Sequence, residues 1–264
     1  MLGFIGTGNM ASAIIKGALK SGMLKGNEIA VYDIDKQKTK KLADEYGINV
    51  FESENDIAGK CDKVVLSVKP NVFSSLLSKI DAELKENKPL LISIAAGKTT
   101  EFIRSCLSYD AKIVRVMPNI NAKVGGAVSA YCGNGNATES DLAFTKNLCE
   151  SFGISVNISE NLFSVYSAIG GCSPAFAYMF IDALARAAVK NGMPKATALE
   201  VASGAVLGSA KMILESDEHP WQLVDQVCSP GGTTIEGVVS LQKDSFEAAV
   251  MNAVQAAVDK DKKL

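Results

Sequence analysis

Short apolar segments alternate with helix-like segments in the first half of the chain. Leu2–Ile5 and Ile29–Tyr32 are apolar runs, and Ala11–Ser21 between them has apolar residues at helical spacing and ends near Gly22. Short apolar strands joined by helices are typical of a parallel sheet covered on both faces. Further strands are predicted at Val64–Val68, Leu90–Ile94 and Ile113–Met117, with Ala127–Tyr131 and Ile154–Ile158 as candidates to extend the sheet, and helices at Gln37–Tyr46 and Glu139–Ser151.

After about residue 160 the strand signal stops and helical periodicity takes over. Helices are predicted at Pro174–Asn191, Ala196–Ser216 and Phe246–Lys260. Asp244, with Glu247 three residues later, has the capping-box pattern and predicts the start of the last helix. The middle helix is rich in small residues, which permits close helix–helix contact in a bundle or at a subunit interface. We therefore expect an α/β domain over residues 1–159 and an all-α domain over residues 160–264.

A glycine-rich loop follows the first predicted strand and opens the first helix. Its sequence, Gly6-Thr7-Gly8-Asn9-Met10-Ala11, fits GxGxxA. Gly6 permits a tight turn, Gly8 lets the backbone approach a pyrophosphate, and the helix N-terminus offers N–H groups to the anion. In this strand–loop–helix context the motif predicts a dinucleotide-binding domain.

Asp33 stands at the end of the second strand, where an acid would bond the hydroxyls of the adenosine ribose. An acid there repels a 2′-phosphate and favours NAD over NADP. The alternatives are that Asp33 is a turn aspartate, or that a phosphate pairs with nearby lysines (Lys36, Lys38 and Lys40).

Two later strand ends and two glycine-containing segments complete the candidate chemistry. Lys69-Pro70 and Ala95-Ala96-Gly97 follow strands and leave room for a nicotinamide, although Lys69 is also consistent with a solvated lysine. The segment from Cys228 to Thr234 places two glycines and several hydroxyl groups at a helix start, which suits a small carboxylate. Gly171-Cys172-Ser173-Pro174 precedes another helix with Pro174 at its first position, either as a second pocket wall or simply as a helix start.

Composition narrows the class of protein. The 264 residues are 47% hydrophobic and 21% charged with a net charge of −2, so we expect a globular chain without a nucleic-acid surface. The uncharged run Ser164 to Ile181 is interrupted by Gly170, Gly171 and Pro174, so we expect no membrane span. The lone His219 and six dispersed cysteines leave no metal cluster, and a start without a basic leader predicts a reduced, cytoplasmic protein.

The chain resembles the pyrroline-5-carboxylate reductase family nearly end to end. The most specific match is Val227–Val238 (VCSPGGTTIEGV), and other matches are the opening GFIGTGNM, Val68–Pro70, Ser93–Gly97, Arg115–Asn119, Ser173–Phe176 and Leu207–Met212. The resemblance implies a Rossmann-type N-terminal α/β domain followed by an all-α dimerisation domain. It further implies a homodimer that can assemble into a decamer, with an active site completed by the partner subunit. The implied reaction is reduction of 1-pyrroline-5-carboxylate to L-proline by NADPH or NADH.

The same resemblance implies roles for individual residues. Thr234 would be the catalytic residue, bonding the ring nitrogen. The substrate would be held by Ser173, Ser229, Gly231, Gly232, Thr233 and Thr234. The cofactor would be held by Gly6, Thr7, Gly8, Asn9, Met10, Asp33, Asn55, Val68, Lys69, Pro70, Ala95, Ala96 and Glu160.

An imine substrate agrees with the single histidine. An imine can enter already protonated, so its reduction needs positioning more than a tuned acid or base. One alternative is a β-hydroxyacid dehydrogenase or a general imine reductase. The hydroxyacid enzymes use a lysine a few residues after a glycine-rich turn, and here none follows Gly171 before Lys190. The other alternative is a nucleotide sensor without turnover, which would not need the segment from Ser229 to Thr234.

Overall fold

The computed structural model describes residues 1–263, which form two compact units: residues 1–171 with 261–263, and residues 172–260. The first unit is built on an eight-stranded sheet of order β3-β2-β1-β4-β5-β6-β7-β8. Its strands are β1 (Leu2–Ile5), β2 (Ile29–Tyr32), β3 (Asn49–Val50), β4 (Lys63–Leu66), β5 (Leu90–Ser93), β6 (Lys112–Met117), β7 (Ala127–Gly133) and β8 (Gly153–Asn157). The α/β prediction is confirmed, and β3 is the strand that the sequence pattern missed.

Helices cover both faces of this sheet. They are α1 (Asn9–Lys20), α2 (Lys36–Tyr46), α3 (Glu54–Lys60), α4 (Phe73–Asn87), α5 (Thr100–Ser105), α6 (Glu139–Glu150) and α7 (Phe163–Tyr166). Alternate residues of β1 supply different cores: Phe4 packs with Ile14 and Ile15 of α1, whereas Ile5 belongs to the core under α3 and α4. Gly3 allows α3 to approach, because a Cβ there would lie 2.6 Å from Ile57. Two buried faces explain why β1 and β2 are apolar at nearly every position.

The sheet is not parallel throughout. β7 pairs antiparallel with β6, while β8 returns parallel to β7, so the expectation of a parallel sheet is wrong at this edge. The connection from β6 to β7 contains only a short 3₁₀ turn, Ile120–Val124, and a parallel crossover needs a dozen or more residues. The connection from β7 to β8 contains α6, which is long enough for a crossover.

The second unit contains α8 (Ser173–Lys190), α9 (Lys195–Glu215), α10 (Pro220–Val227), α11 (Thr233–Lys243) and most of α12 (Phe246–Asp261). Its all-α character is confirmed. The predicted cap at Asp244 is wrong, because α11 extends to Lys243 and Asp244 ends it. Ser245 instead precedes α12 in the left-handed conformation, with φ of 57°, and its carbonyl accepts from the amide of Ala249.

Many apolar side chains of the second unit lie exposed. Met179, Leu207, Leu214 and Met251 are each more than 70% exposed, while the unit's own core is a small cluster around Ala185, Ala198 and Ala202. By length and composition alone, residues 160–190 and 195–215 could each cross a membrane. Exposed apolar helix faces of this kind mark protein–protein or membrane interaction sites.

Candidate functional site

The glycine-rich loop between β1 and α1 has the geometry of an anion site. Gly6 has φ of +94°, and a Cβ there would lie 2.8 Å from the carbonyl oxygen of Ser67, so no larger residue fits. Gly8 faces open space, with no atom within 4 Å of its Cβ position. Helix α1 has no side-chain cap, so its first amides are available. These features fit the pyrophosphate of a dinucleotide, which needs close approach to backbone N–H groups.

Asp33 fixes this loop. One of its carboxylate oxygens accepts hydrogen bonds from the amide of Thr7 at 2.6 Å and from its hydroxyl at 2.9 Å, and the other accepts from the amide of Asp35 at 2.9 Å. Burial alone would raise the pKa of Asp33, but these hydrogen bonds more than offset it and lower the pKa. The carboxylate therefore carries its negative charge at the end of β2. That Asp33 also bonds a ribose stays a prediction.

A groove of about 850 Å³ opens along the carboxyl ends of β1, β2 and β4. Five residues predicted to bind the cofactor line it: Gly6, Gly8, Asp33, Val68 and Lys69. Thr7, Gly8 and Asn9 line a neighbouring cavity of about 340 Å³. The other predicted cofactor residues lie outside both linings: Met10, Asn55, Pro70, Ala95, Ala96 and Glu160. Sequence analysis missed Tyr32, Glu54, Ser75 and Lys79, which also line the groove.

The side chains of Asn55 and Glu160 form hydrogen bonds with other residues of the first unit. The Asn55 amide donates to a carboxylate oxygen of Glu83 at 2.7 Å. The Glu160 carboxylate accepts from the amide and the hydroxyl of Thr100, both at 2.8 Å, and pairs with Arg115 at 3.2 Å. Thr100 is the first residue of α5, at the end of the loop that carries Ala95 and Ala96. In this structure Glu160 therefore anchors that loop.

Arg115 is a charged residue in the middle of a buried strand. It is 7% exposed, and its guanidinium carbon lies 4.3 Å from the centre of the Phe163 ring. The signal in the sequence is an arginine interrupting the apolar run Ile113–Met117, because a charge in such a position needs a partner. Glu160 is that partner.

The candidate carboxylate cradle lies in the second unit, between α10 and α11. Gly231 has φ of +68°, and the amide of Gly232 donates to the carbonyl of Ser229 at 3.0 Å. A Cβ at Gly232 would meet the Ser229 hydroxyl. Helix α11 has 11 residues and no side-chain cap, so its first amides are open to an anion. Thr233 and Thr234 are exposed on its first turn.

The segment around Ser173 differs from the prediction. Residues Ser167–Cys172 form a π-helix that runs directly into α8, so Gly171-Cys172-Ser173-Pro174 is helical rather than a loop, and Pro174 occupies the second helical position. The side-chain amide of Asn119 donates to the carbonyl of Gly170 at 2.8 Å, so this carbonyl of the π-helix has a hydrogen-bond partner. Ser173 is half-buried.

The cysteines divide by burial. Burial raises the pKa of Cys61 and Cys132 to about 11 and that of Cys149 to about 12, so these three thiols behave as core residues. Cys172 and Cys228 are half-buried and adjoin Ser173 and Ser229. Within residues 1–263 no group of three or more His, Cys, Asp or Glu side chains forms a potential metal site.

The Rossmann-type unit, its glycine-rich loop and its groove define a dinucleotide-dependent oxidoreductase. Residues 1–97 match the family model described as NADP oxidoreductase coenzyme F420-dependent, and residues 160–264 match the one described as pyrroline-5-carboxylate reductase dimerisation. The chain is 42% identical over 263 residues to the pyrroline-5-carboxylate reductase of Escherichia coli, covering all of this chain and 97% of the relative. The chain belongs to the pyrroline-5-carboxylate reductase family.

Solved structures agree with this assignment. A pyrroline-5-carboxylate reductase from Coxiella burnetii superposes with a TM-score of 0.95 at 30% identity, over 99% of this chain and 97% of that one. The enzyme of Plasmodium falciparum, solved with NADP bound, gives a TM-score of 0.86 at 36% identity, over 99% of this chain and 97% of that one. Dimerisation explains the exposed apolar helices of the second unit, because a second copy can cover them.

Proposed function

We propose that the groove beside Gly6 and Asp33 binds NAD(P)H, and that the segment Cys228–Thr234 binds the carboxylate of the substrate. The chain is an NAD(P)H-dependent oxidoreductase that reduces 1-pyrroline-5-carboxylate to L-proline. The main support for the proposed substrate site is that the start of α11 has no side-chain cap. Gly232, the residue before α11, is packed against Ser229. Bound NAD(P)H supplies a hydride for the imine carbon.

The protein's part is to orient the substrate. In this proposal the amides at the start of α11 hold the carboxylate, together with Ser229, Gly231, Gly232 and Thr233. The hydroxyl of Thr234 bonds the ring nitrogen and holds a proton there, and Ser173 contacts the substrate. The loop from Gly6 to Met10 binds the pyrophosphate and Asp33 the ribose. Around the nicotinamide lie Val68, Lys69, Pro70, Ala95 and Ala96. Asn55 contributes to the cofactor site. Glu160 contributes to it by anchoring the loop that contains Ala95 and Ala96.

Four finer points belong to the same proposal. The carboxylate of Asp33 favours NADH over NADPH, because it repels a 2′-phosphate. The homodimer can assemble into a decamer. The boundary between the two functional domains lies between residues 159 and 160. The protein acts in the cytoplasm.

The decisive experiment uses the purified full-length chain with 1-pyrroline-5-carboxylate and either NADH or NADPH, followed at 340 nm. A panel of 2- and 3-hydroxyacids with NAD⁺ or NADP⁺ runs in parallel. We expect turnover of the pyrroline and none of the hydroxyacids. Turnover restricted to hydroxyacids would identify a hydroxyacid dehydrogenase, and cofactor binding without any turnover would identify a nucleotide sensor.

A further inference from the structure

Glu54 is a nearly buried carboxylate in the wall of the cofactor groove. It is 9% exposed, and it opens α3 directly after the cap residue Ser53. One of its oxygens lies 2.6 Å from the ammonium nitrogen of Lys79, which reaches across from α4. Burial acts to raise the pKa of Glu54, but hydrogen bonds from Lys79 and from the Tyr32 hydroxyl outweigh it and lower the pKa. Glu54 is therefore a stable anion.

This carboxylate belongs to the same end of the groove as Asp33. Tyr32 is the last residue of β2 and directly precedes Asp33. It interacts with Glu54 and lines the groove together with both acids. A Rossmann-type domain binds the adenosine ribose beside the acid that ends β2. A 2′-phosphate on that ribose would consequently enter a wall that contains Glu54 as well as Asp33.

The lysines near this end of the groove are already paired. Lys38 lies 3.5 Å from Asp35, Lys79 lies 2.6 Å from Glu54, and Lys36, just outside the lining, lies 2.7 Å from Glu52. The lining as a whole contains three carboxylates, Asp33, Asp35 and Glu54, and three lysines, Lys38, Lys69 and Lys79, so its formal charges balance. Lys69 follows β4, whereas Lys38 and Lys79 are paired with carboxylates of the lining. A 2′-phosphate, which carries about −1.5 to −2 charge at neutral pH, would meet the carboxylates of Asp33 and Glu54 and two lysines that are already engaged.

We propose that Glu54 is a specificity-determining residue, which holds the Lys79 ammonium and thereby withholds the cation that a 2′-phosphate needs. The groove then favours a dinucleotide with a free 2′-hydroxyl. Lys79 already lines the groove, is 59% exposed, and is long enough to reach a bound phosphate once it is released. This inference rests on the proposed use of the groove for NAD(P)H, and it adds a second acid to Asp33.

The test measures binding of two probes that differ by the 2′-phosphate, adenosine 2′,5′-bisphosphate and AMP, by titration calorimetry of the full-length protein. Glu54→Gln removes the charge with little change of shape. We expect it to raise the ratio of the two association constants, bisphosphate over AMP, by roughly tenfold, the gain from about one charge-assisted hydrogen bond. Adding Lys79→Met to Glu54→Gln should abolish the gain, since Lys79 is the group that binds.

Glu150→Gln is the matched control. It makes the same chemical change at an exposed pair with Lys146 that does not line the groove, so its ratio should equal that of the wild type. An unchanged ratio in Glu54→Gln, an equal shift in Glu150→Gln, or a gain that survives Lys79→Met would each overturn the proposal. Should Glu54→Gln fail to fold, Glu54→Ser gives an independent version.

The proposed function and the proposed role of Glu54 can be rejected independently of each other. Wild-type protein that does not reduce 1-pyrroline-5-carboxylate with either cofactor would contradict the proposed function, while the binding ratios would still test Glu54. Protein that reduces the pyrroline but shows no shift in Glu54→Gln would leave the function intact and reject this role for Glu54. The ratio of kcat/KM for NADPH to that for NADH should follow the binding ratio.

Discussion

The carboxylate of Asp33 accepts two hydrogen bonds from Thr7, one from its backbone amide at 2.6 Å and one from its hydroxyl at 2.9 Å. Asp33 directly follows β2 and Thr7 lies in the loop after the adjacent β1, so these bonds join two neighbouring strand ends. The residue expected to discriminate between cofactors therefore also fixes the loop that is expected to hold the pyrophosphate. Substituting it should change both properties, and a change at Thr7 should alter only the second.

Asp33→Ser is expected to raise the ratio of kcat/KM for NADPH to that for NADH, because it removes a charge that repels the 2′-phosphate. It should also lower the free energy of unfolding by about 1–2 kcal/mol through the lost hydrogen bonds to Thr7. Thr7→Val is the control, since it removes the hydroxyl bond and leaves the charge; it should lower stability slightly without moving the ratio. An unchanged ratio in Asp33→Ser would remove Asp33 from cofactor selection.

Gly6→Ala and Gly8→Ala should differ sharply, although both replace a glycine in one loop. A Cβ at Gly6 would lie 2.8 Å from the Ser67 carbonyl, and the φ of +94° is unfavourable for alanine, so Gly6→Ala should lower the melting temperature. A Cβ at Gly8 meets no atom within 4 Å, so Gly8→Ala should keep the melting temperature. Its methyl group would instead occupy space needed by the pyrophosphate.

Calorimetry with NAD⁺ and NADP⁺ separates the two effects. Gly8→Ala should weaken binding of both dinucleotides about tenfold or more, which corresponds to at least roughly 1.4 kcal/mol. Wild-type affinity in a folded Gly8→Ala protein would show that the pyrophosphate lies elsewhere.

Thr234→Ala should lower kcat/KM for 1-pyrroline-5-carboxylate by an amount equivalent to about 1–3 kcal/mol, the loss of one buried hydrogen bond to a reacting group. Thr234 is exposed on the first turn of α11, so the substitution should leave the melting temperature unchanged. Thr234→Ser keeps the hydroxyl and should retain most of the activity. Equal kcat/KM for Thr234→Ala and wild type would exclude the proposed role.

Glu160→Gln should destabilise the first unit, because it removes the negative charge that balances the guanidinium of Arg115. Arg115 is 7% exposed and Glu160 is partly exposed, so we expect a loss of about 3 kcal/mol, at the lower end for a buried pair. Glu150→Gln is the control, because its pair with Lys146 spans 3.8 Å at the surface and should contribute little. Thermal unfolding of the two variants compares these losses directly.

Looser anchoring of Thr100 in Glu160→Gln should also raise KM for the dinucleotide. A variant that loses stability but keeps the wild-type KM would limit Glu160 to a structural role.

The β1–loop–α1 unit and the sheet's first strands could be predicted from the sequence, because apolar runs, glycine spacing and Asp33 are all local signals. The antiparallel β7 could not, since its direction depends on the length of its connection to β6 and on how that connection folds. The predicted N-cap at Asp244 was wrong for a similar reason. Helix α11 continues to Lys243, and Ser245 adopts the left-handed conformation that precedes α12.

The candidate site likewise contains some residues that the sequence predicts and others that only the fold brings together. Gly6 and Gly8 are recognisable in the sequence, because their conformations follow from a motif in a defined context. Glu54 and Lys79 are 25 residues apart on different helices, and nothing in their spacing indicates that they meet in the groove. Glu160 matched a family position, but only the fold shows that it binds Thr100 and Arg115.

Gly208→Leu should disrupt the dimer. Gly208 lies on α9 beside the exposed Leu207, and a Cβ at this position meets no atom of its own chain within 4 Å. The isolated chain therefore has room for a larger side chain, which would remain helical because leucine is a better helix former than glycine. Close helix–helix contact with a second copy would be blocked, since small residues are what allow backbones to approach. Gly135→Leu, in a loop of the first unit with equally open space, is the matched control. Sedimentation velocity should show a shift toward smaller species for Gly208→Leu and the wild-type distribution for Gly135→Leu; identical distributions for both would place the interface on other faces of the helices.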